Sequence, residues 1–386
     1  MNRRKFLGSM TAGAGVSLIP GSALAAGNTT TAGNTTAAGN ATATSNTRTA
    51  RGDLAARVRP YLDRALTAGS PSVVCGVIRG THRYTAGAAQ DGPAPGGRTV
   101  FQLGSIGKTL TATALARAVS AGRARLDTPL VLPPGFPVPR KGPRRITLAD
   151  LATHSSGLPS LPPNLLAEAD PYNPYAHYTL DDLATGLAGT TLSTEPGSTY
   201  HYSNLGFGLL GQWLAFDDVD AMLRRAVTAP LRLRDTTTTL RPDMASRKAV
   251  GHLAGEPVPD WKDHVHTGAG TSIYSTADDM LRYLDAQLRP EHSPLRDAIE
   301  LTQRPRFTVD PSLRLGLGWH LSTLPDGRSM TWHNGSTGGF STCAAFSRKS
   351  GTAVVMMTNT FGEATDGEPR PVDALTFALL AELDEV

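Results

Sequence analysis

Apolar residues recur along the chain with two different periods, and the changes of period mark its elements. Leu54, Val58, Leu62 and Leu66 fall on one helical stripe, with Pro60 expected to kink that helix or mark a restart within it. Ser72–Arg79 and Arg83–Ala88 are strand-like runs that predict a pair. From Ser105 to Val119 the pattern is helical and Ala-rich, with no breaker between Gly107 and Gly122. Residues 123–261 hold short helical patterns between Pro/Gly loops and few strand-like runs. Helix signals return at Ser275-Thr276 with Asp278-Asp279, a capping arrangement that opens Met280–Leu288. Strand-like runs then cluster at Met330–His333, Phe340–Phe346 and Thr352–Thr358. Val372, Leu375, Leu379 and Leu383 form a last amphipathic helix. Strands at both ends with helices between them predict a mixed α/β (α+β) fold, its sheet assembled from distant parts of the chain around an inserted helical region.

The first 52 residues change this picture in two ways. Residues 1–25 have the layout of an export signal: Arg3-Arg4-Lys5, a mildly apolar stretch from Phe6 to Ile19, then Ala23-Leu24-Ala25 as a cleavage site. Paired arginines before an apolar pair mark the twin-arginine route, so the Tat export machinery is an expected partner. The apolar stretch is too short and Gly-rich to span a bilayer, and no Cys follows the cleavage site, so no membrane anchor is expected. Residues 26–52 are Gly, Asn, Thr and Ala, too poor in apolar surface to offset their ordering entropy, and predict a flexible linker. Within it Asn28, Asn34 and Asn40 match the glycosylation pattern, but a low-complexity repeat accounts for them.

Charge adds a restriction. The formal net charge is +4, of which Arg3, Arg4 and Lys5 supply three; without them 34 basic residues face 33 acidic ones. That balance excludes nucleic acid and anionic membrane as partners suggested by the sequence. Cys75 and Cys343, the only cysteines, lie in strand-like apolar runs and are expected to be buried free thiols.

The chemistry begins at Ser105-Ile106-Gly107-Lys108. Five lysines follow the leader, at 108, 141, 248, 262 and 349, and only Lys108 has Ser three residues before it. Positions i and i+3 share a helical face, so the hydroxyl meets an amine able to take its proton. Arginine could not serve, because it does not deprotonate in proteins. For the amine to be neutral near pH 7, its surroundings must disfavour the ammonium by roughly 4 kcal/mol. Burial at a helix head supplies such a bias. Gly107-Lys108-Thr109 also ends like a phosphate-binding loop, but Gln102 stands where that loop needs its first glycine. Tyr202-Ser203-Asn204 offers a phenol to relay protons and an amide to bind a carbonyl. His333-Asn334-Gly335-Ser336 ends a strand with glycine that lets a backbone approach a ligand, and the Ser336 N–H is a candidate oxyanion donor.

These segments, in this order, resemble the serine β-lactamase and penicillin-binding protein superfamily, nearest its class C β-lactamase-like branch with D-Ala carboxypeptidase and esterase relatives. Ile146-Thr147-Leu148-Ala149-Asp150-Leu151-Ala152-Thr153-His154-Ser155-Ser156-Gly157-Leu158-Pro159 and Gly316-Leu317-Gly318-Trp319 fit the same branch, as does Ser272-Ile273-Tyr274-Ser275-Thr276-Ala277-Asp278-Asp279. The resemblance covers residues 53–386. It implies a β-lactamase/transpeptidase-like fold: an antiparallel sheet flanked by helices, built from about 53–110 and 262–386, with a mostly helical insertion of about 111–261. It also implies Ser105 as acylated nucleophile, Lys108 as base and Tyr202 as second proton relay. Asn204 becomes a substrate anchor, His333 and Gly335 substrate-facing strand residues, and the Ser105 and Ser336 N–H groups the oxyanion hole. Whether Lys108 or Tyr202 takes the first proton stays open.

Class C β-lactamases carry Lys where this chain has His333, and the carboxypeptidase branch has an Arg after the Gly-Leu-Gly turn, where Trp319 and His320 stand here. Both departures favour an esterase or amidase acting on a less charged substrate. The expected activity is an exported, monomeric serine hydrolase that needs no cofactor and cleaves an amide, β-lactam or ester of a small molecule or peptide. D-Ala-D-Ala carboxypeptidase and carboxylesterase are the alternatives, and a non-catalytic wall-binding or sensor protein a remote one. His264-Val265-His266 lacks the further ligand of a zinc site, no Gly-x-Ser-x-Gly elbow occurs, and His154 is expected to be a buried structural hydrogen-bonder.

Overall fold

A computed structural model describes residues 43–215, 218–362 and 369–385. The stretches expected to be an export signal and cleavage site, and the three Asn-x-Thr sites, lie outside the described residues. The chain opens with helix α1 (Ala43–Thr67). That helix starts inside the stretch read as a linker. It also runs without interruption through Pro60, whose ring sits on an exposed face. Its anchored half carries the stripe, with Leu54, Val58 and Leu62 buried, and each added residue of an existing helix gains one hydrogen bond.

β1 (Ser72–Arg79) and β2 (His82–Ala89) form the expected pair. The late strands are β7 (Phe307–Asp310), β8 (Leu313–Leu315), β9 (His320–Thr323), β10 (Ser329–Thr337), β11 (Phe340–Ser347) and β12 (Thr352–Thr358). Together they make one eight-stranded antiparallel sheet in the order β2-β1-β12-β11-β10-β9-β8-β7, so the chain's two ends meet at β1 and β12. Two small pairs stand apart from it: β3 (Val100–Gln102) with β6 (Tyr274–Thr276), and β4 (Gly251–Leu253) with β5 (Glu256–Val258).

The central strands are apolar at consecutive positions because both faces of the sheet are covered. Val73, Cys75 and Val77 of β1 join a core with α1 and the last helix α10 (Pro371–Asp384); Val74 and Ile78 face the larger core on the other side. That larger core takes in helix α2 (Gly107–Ser120), the short helices α3 (Leu148–Ala152) and α4 (Leu180–Ala188), and α5 (Asn204–Ala215). α6 (Val219–Leu223) and α7 (Pro242–Ala245) complete the intervening region. α8 (Ala277–Leu288), capped by the Thr276 side chain as expected, lies across β1 and β12, and α9 (Arg296–Thr302) packs on α2.

The boundary drawn near residue 110 falls inside α2, which has no breaker before its end and is buried throughout its first ten residues. α2 therefore packs on both parts, on α9 of the sheet-bearing body and on α5 and α6 of the intervening region. Cys75 and Cys343 are free and buried, as expected. Both sit opposite Met356, on either side of β12, two strand spacings or about 10 Å apart, which is beyond disulfide reach.

Candidate active site

The site lies where α2, α5 and β10 converge. β3 delivers the chain to a tight turn, Gly104–Ile106, which leads into α2 and places Ser105 one turn before Lys108. Gly104 has φ +57°, and a Cβ there would come within 2.4 Å of Ser336 N. Gly335 makes the reciprocal approach: a Cβ on it would lie 2.0 Å from Leu103 O and 2.8 Å from Ser105 N. The two glycines thus let the nucleophile's turn and β10 touch backbone to backbone.

Lys108 Nζ lies 2.9 Å from Ser105 Oγ, 2.7 Å from Asn204 Oδ1 and 2.8 Å from Ala269 O. The last two are acceptors only, so they take two N–H groups and leave the third position for the serine hydroxyl. A neutral amine, with two donors and one lone pair, satisfies all three partners. Lys108 is fully buried, and no carboxylate pairs with it among the described residues. Burial accordingly holds its ammonium well below the usual lysine range. Ser105 remains 8% exposed, so unlike Lys108 its side chain is not sealed from solvent.

Tyr202 and Asn204 come in from the loop before α5 and its first residue. The Lys108 amine sits 4.9 Å from the Tyr202 ring centre. The Tyr202 hydroxyl is buried without a hydrogen-bond partner, and burial pushes its phenol up, opposed by Ser105 beside it and by Arg370. Asn204, expected as a substrate anchor, also holds the base through Oδ1. His154, at φ 55°, accepts the Ser203 N–H on Nδ1 at 3.0 Å and stacks on Tyr202 with ring centres 4.3 Å apart. It is buried and hydrogen-bonded, as expected, and it also packs against the tyrosine.

His333, on β10, is fully buried. Its Nδ1 lies 2.6 Å from Asn334 O, a carbonyl that can only accept, so Nδ1 carries the proton and Nε2 a lone pair. Burial first, then His320 and Lys108, hold its pKa well below the usual histidine range, so the imidazole is neutral. Half-buried Ser336 presents its backbone next to Gly104. All seven candidate residues are therefore brought together.

Sequence reading missed several members. Ala269 supplies a carbonyl to Lys108, and Gly270, at φ +84°, follows it where a Cβ would meet Gly104 O at 2.2 Å. His320 stacks on Trp332 and lies 5.1 Å from the His333 ring; burial lowers its pKa to about 4. Arg370 and Asp373 sit behind β10. The glycine at 270 inside a polar run was a usable signal, whereas a backbone carbonyl leaves none. Gln102, which broke the phosphate-loop pattern, is a buried brace bonded twice to the Trp261 backbone. Among the described residues no group of three or more His, Cys, Asp or Glu side chains is arranged to hold a metal.

A family model described as Beta-lactamase matches residues 54–377. The chain is 30% identical over 265 residues to the D-alanyl-D-alanine-carboxypeptidase/endopeptidase AmpH of Escherichia coli (strain K12), covering 64% of this chain and 67% of that protein. It is 26% identical over 305 residues to a Beta-lactamase of Pseudomonas fluorescens, covering 68% and 79% respectively. It is 27% identical over 335 residues to Penicillin-binding protein 4 of Amycolatopsis lactamdurans, covering 72% and 84%.

Proposed function

The chain belongs to the beta-lactamase family and is a serine hydrolase of the β-lactamase/DD-peptidase type, and from that premise we propose that it works through an acyl-enzyme on Ser105. One observation carries the reading: a fully buried lysine amine 2.9 Å from a serine hydroxyl, with its two other positions occupied by acceptors. Lys108 takes the Ser105 proton as Oγ attacks a carbonyl carbon. The oxygen that becomes negative lies between the Ser105 and Ser336 N–H groups. Tyr202, kept protonated by its burial, hands a proton to the departing nitrogen or oxygen, and Lys108 restores it. That order makes Lys108 the first base. Water then repeats the attack and releases the acyl group.

β10 holds His333 as a neutral acceptor, and the Arg370 guanidinium that bonds the same strand is paired with Asp373. A substrate carboxylate gains little there, which supports an uncharged ester or amide. The name of the Escherichia coli relative, a D-alanyl-D-alanine-carboxypeptidase/endopeptidase, supports a second reading, cleavage of a D-alanyl-D-alanine terminus. We place the enzyme outside the cytoplasm, delivered by residues 1–25, with a single small-molecule or peptide substrate, no membrane anchor and a monomeric working form. No helix among the described residues is long and apolar enough to cross a membrane.

A three-substrate panel tests the assignment: a short-chain nitrophenyl ester, a chromogenic cephalosporin and a D-alanyl-D-alanine peptide. Ester turnover that vanishes in Ser105→Ala, with the variant still folded, is expected. Retained turnover in Ser105→Ala overturns the serine mechanism.

A further inference from the structure

A charged pair is buried directly behind the strand that carries the second oxyanion donor. Arg370, the N-cap of α10, is 5% exposed, and Asp373 is 3% exposed. The guanidinium grips the carboxylate with two bonds, Nε to Oδ2 at 2.9 Å and Nη2 to Oδ1 at 3.2 Å. Its free Nη1 donates to Gly335 O at 3.0 Å. Asp373 Oδ2 also accepts from Asn334 Nδ2 at 2.7 Å. One ion pair therefore holds two successive residues of β10, and the next residue is Ser336.

The peptide bond makes this more than a brace. Gly335 C=O and Ser336 N–H belong to one planar amide, so they point in opposite directions and rotate together. Fixing the oxygen fixes the N–H. Gly335 also faces Thr342 in the β10–β11 register, and the Thr342 hydroxyl is a weaker side-chain partner of its oxygen, reaching it at 3.4 Å and making its short bond, 2.6 Å, to Leu103 O. A charged donor on the carbonyl also polarises the amide and strengthens the N–H at its other end. Stability alone gives little reason for such a pair, because desolvation offsets its attraction and well-packed apolar replacements are often as stable.

We propose that Arg370 sets the direction of the Ser336 N–H by clamping the Gly335–Ser336 peptide, with Asp373 and Asn334 holding the guanidinium in place. Arg370 is a positioning residue; it does not touch substrate. The proposal rests on the reading of Ser336 N–H as an oxyanion donor and deepens it.

The test replaces the pair by apolar side chains of similar length, Arg370→Met with Asp373→Leu, in the full chain. Melting temperature, ester kcat and KM, and inhibition by a small boronic acid are then measured. The boronate forms a tetrahedral adduct on the serine, with an oxygen where the hole should be. Complete loss of one oxyanion donor costs 10²–10³ in kcat, so a misaimed one should cost about 10–100-fold. Expected results are a preserved melting temperature, a kcat lower by that factor, a KM within about two-fold and a boronate inhibition constant raised in parallel with the kcat loss. Arg370→Lys keeps a donor for Gly335 O and should recover most of the rate. A folded double variant with wild-type kcat, or one altered in KM alone, overturns the proposal. Should the apolar pair fail to fold, Arg370→Leu with Asp373→Asn, which removes the donor to Gly335 O and keeps an acceptor for Asn334, gives the same reading, and wild-type kcat there overturns it equally. Ser105→Ala measured alongside separates the two claims: if it is dead while the Arg370 variants are fully active, only the clamp fails.

Discussion

If Lys108 is neutral in the folded enzyme, the protein's stability must depend on pH with a sign and slope that a single substitution removes. The unfolded chain holds a proton on this lysine up to about pH 10.5, whereas the folded chain, which buries the amine completely without a carboxylate partner, has already lost it. Between the lowered folded value and 10.5 the unfolded state therefore binds one more proton. Stability should rise with pH by about 1.4 kcal/mol per unit through that window and be lost as pH falls toward the folded value. Lys108→Met keeps an unbranched side chain of similar length and cannot titrate. It leaves Asn204 Oδ1 and Ala269 O without their donor, a cost of about 1–3 kcal/mol for each acceptor left unpaired, but that offset does not vary with pH. Urea denaturation of both proteins at pH 8, 9 and 10, followed by tryptophan fluorescence, gives the difference in unfolding free energy. Other groups titrating in that range cancel in the subtraction. The difference should change in favour of the wild type by about 1.4 kcal/mol per unit. Parallel curves would mean the folded lysine keeps its proton, and the proton-acceptor role would fall with them.

The same shift predicts that ester turnover declines as pH drops through the folded Lys108 value, and a pH–rate profile without an acidic limb would contradict it. Tyr202→Phe should keep the fold and lower kcat by about 10²–10⁴-fold, since it removes the hydroxyl assigned to the relay; unchanged turnover removes Tyr202 from the proton path. Gly335→Ala places a methyl 2.0 Å from Leu103 O, so about 1–3 kcal/mol of stability and most of the activity should be lost, as read by melting temperature and ester hydrolysis. Cys75 and Cys343 should react with a thiol reagent only after unfolding, and the melting temperature should not respond to reductant.

The sheet was legible where packing imposes a pattern. β1, β11 and β12 are apolar at successive positions because cores press on both faces, so Val73–Ile78, Phe340–Phe346 and Thr352–Thr358 stood out from the chain around them. β7, β8 and β9 did not, because they are only three or four residues long, and β7 and β8 toward the sheet's edge are only partly covered. Ser105 and Lys108 were legible for a different reason. Three residues on a helix bring them together whatever the rest of the fold does, so their spacing carried the chemistry by itself.

The groups that make this pair work leave weaker traces, and the reason is geometric. Neutralising Lys108 takes burial on every side and acceptors for both of its protons. One of these is a backbone carbonyl 161 residues away, at a position whose side chain is a methyl. Arg370 and Asp373 read as an ordinary charge pair at the start of a helix, three residues apart, and nothing in that spacing tells that both face inward against β10. What the chain spells locally is the reacting pair; what it spells only through the fold is the environment that sets their protonation and aims the amide opposite. Activity should therefore fall with changes at Gly335 or Arg370, which never meet the reacting proton, as well as with changes at Lys108, which does.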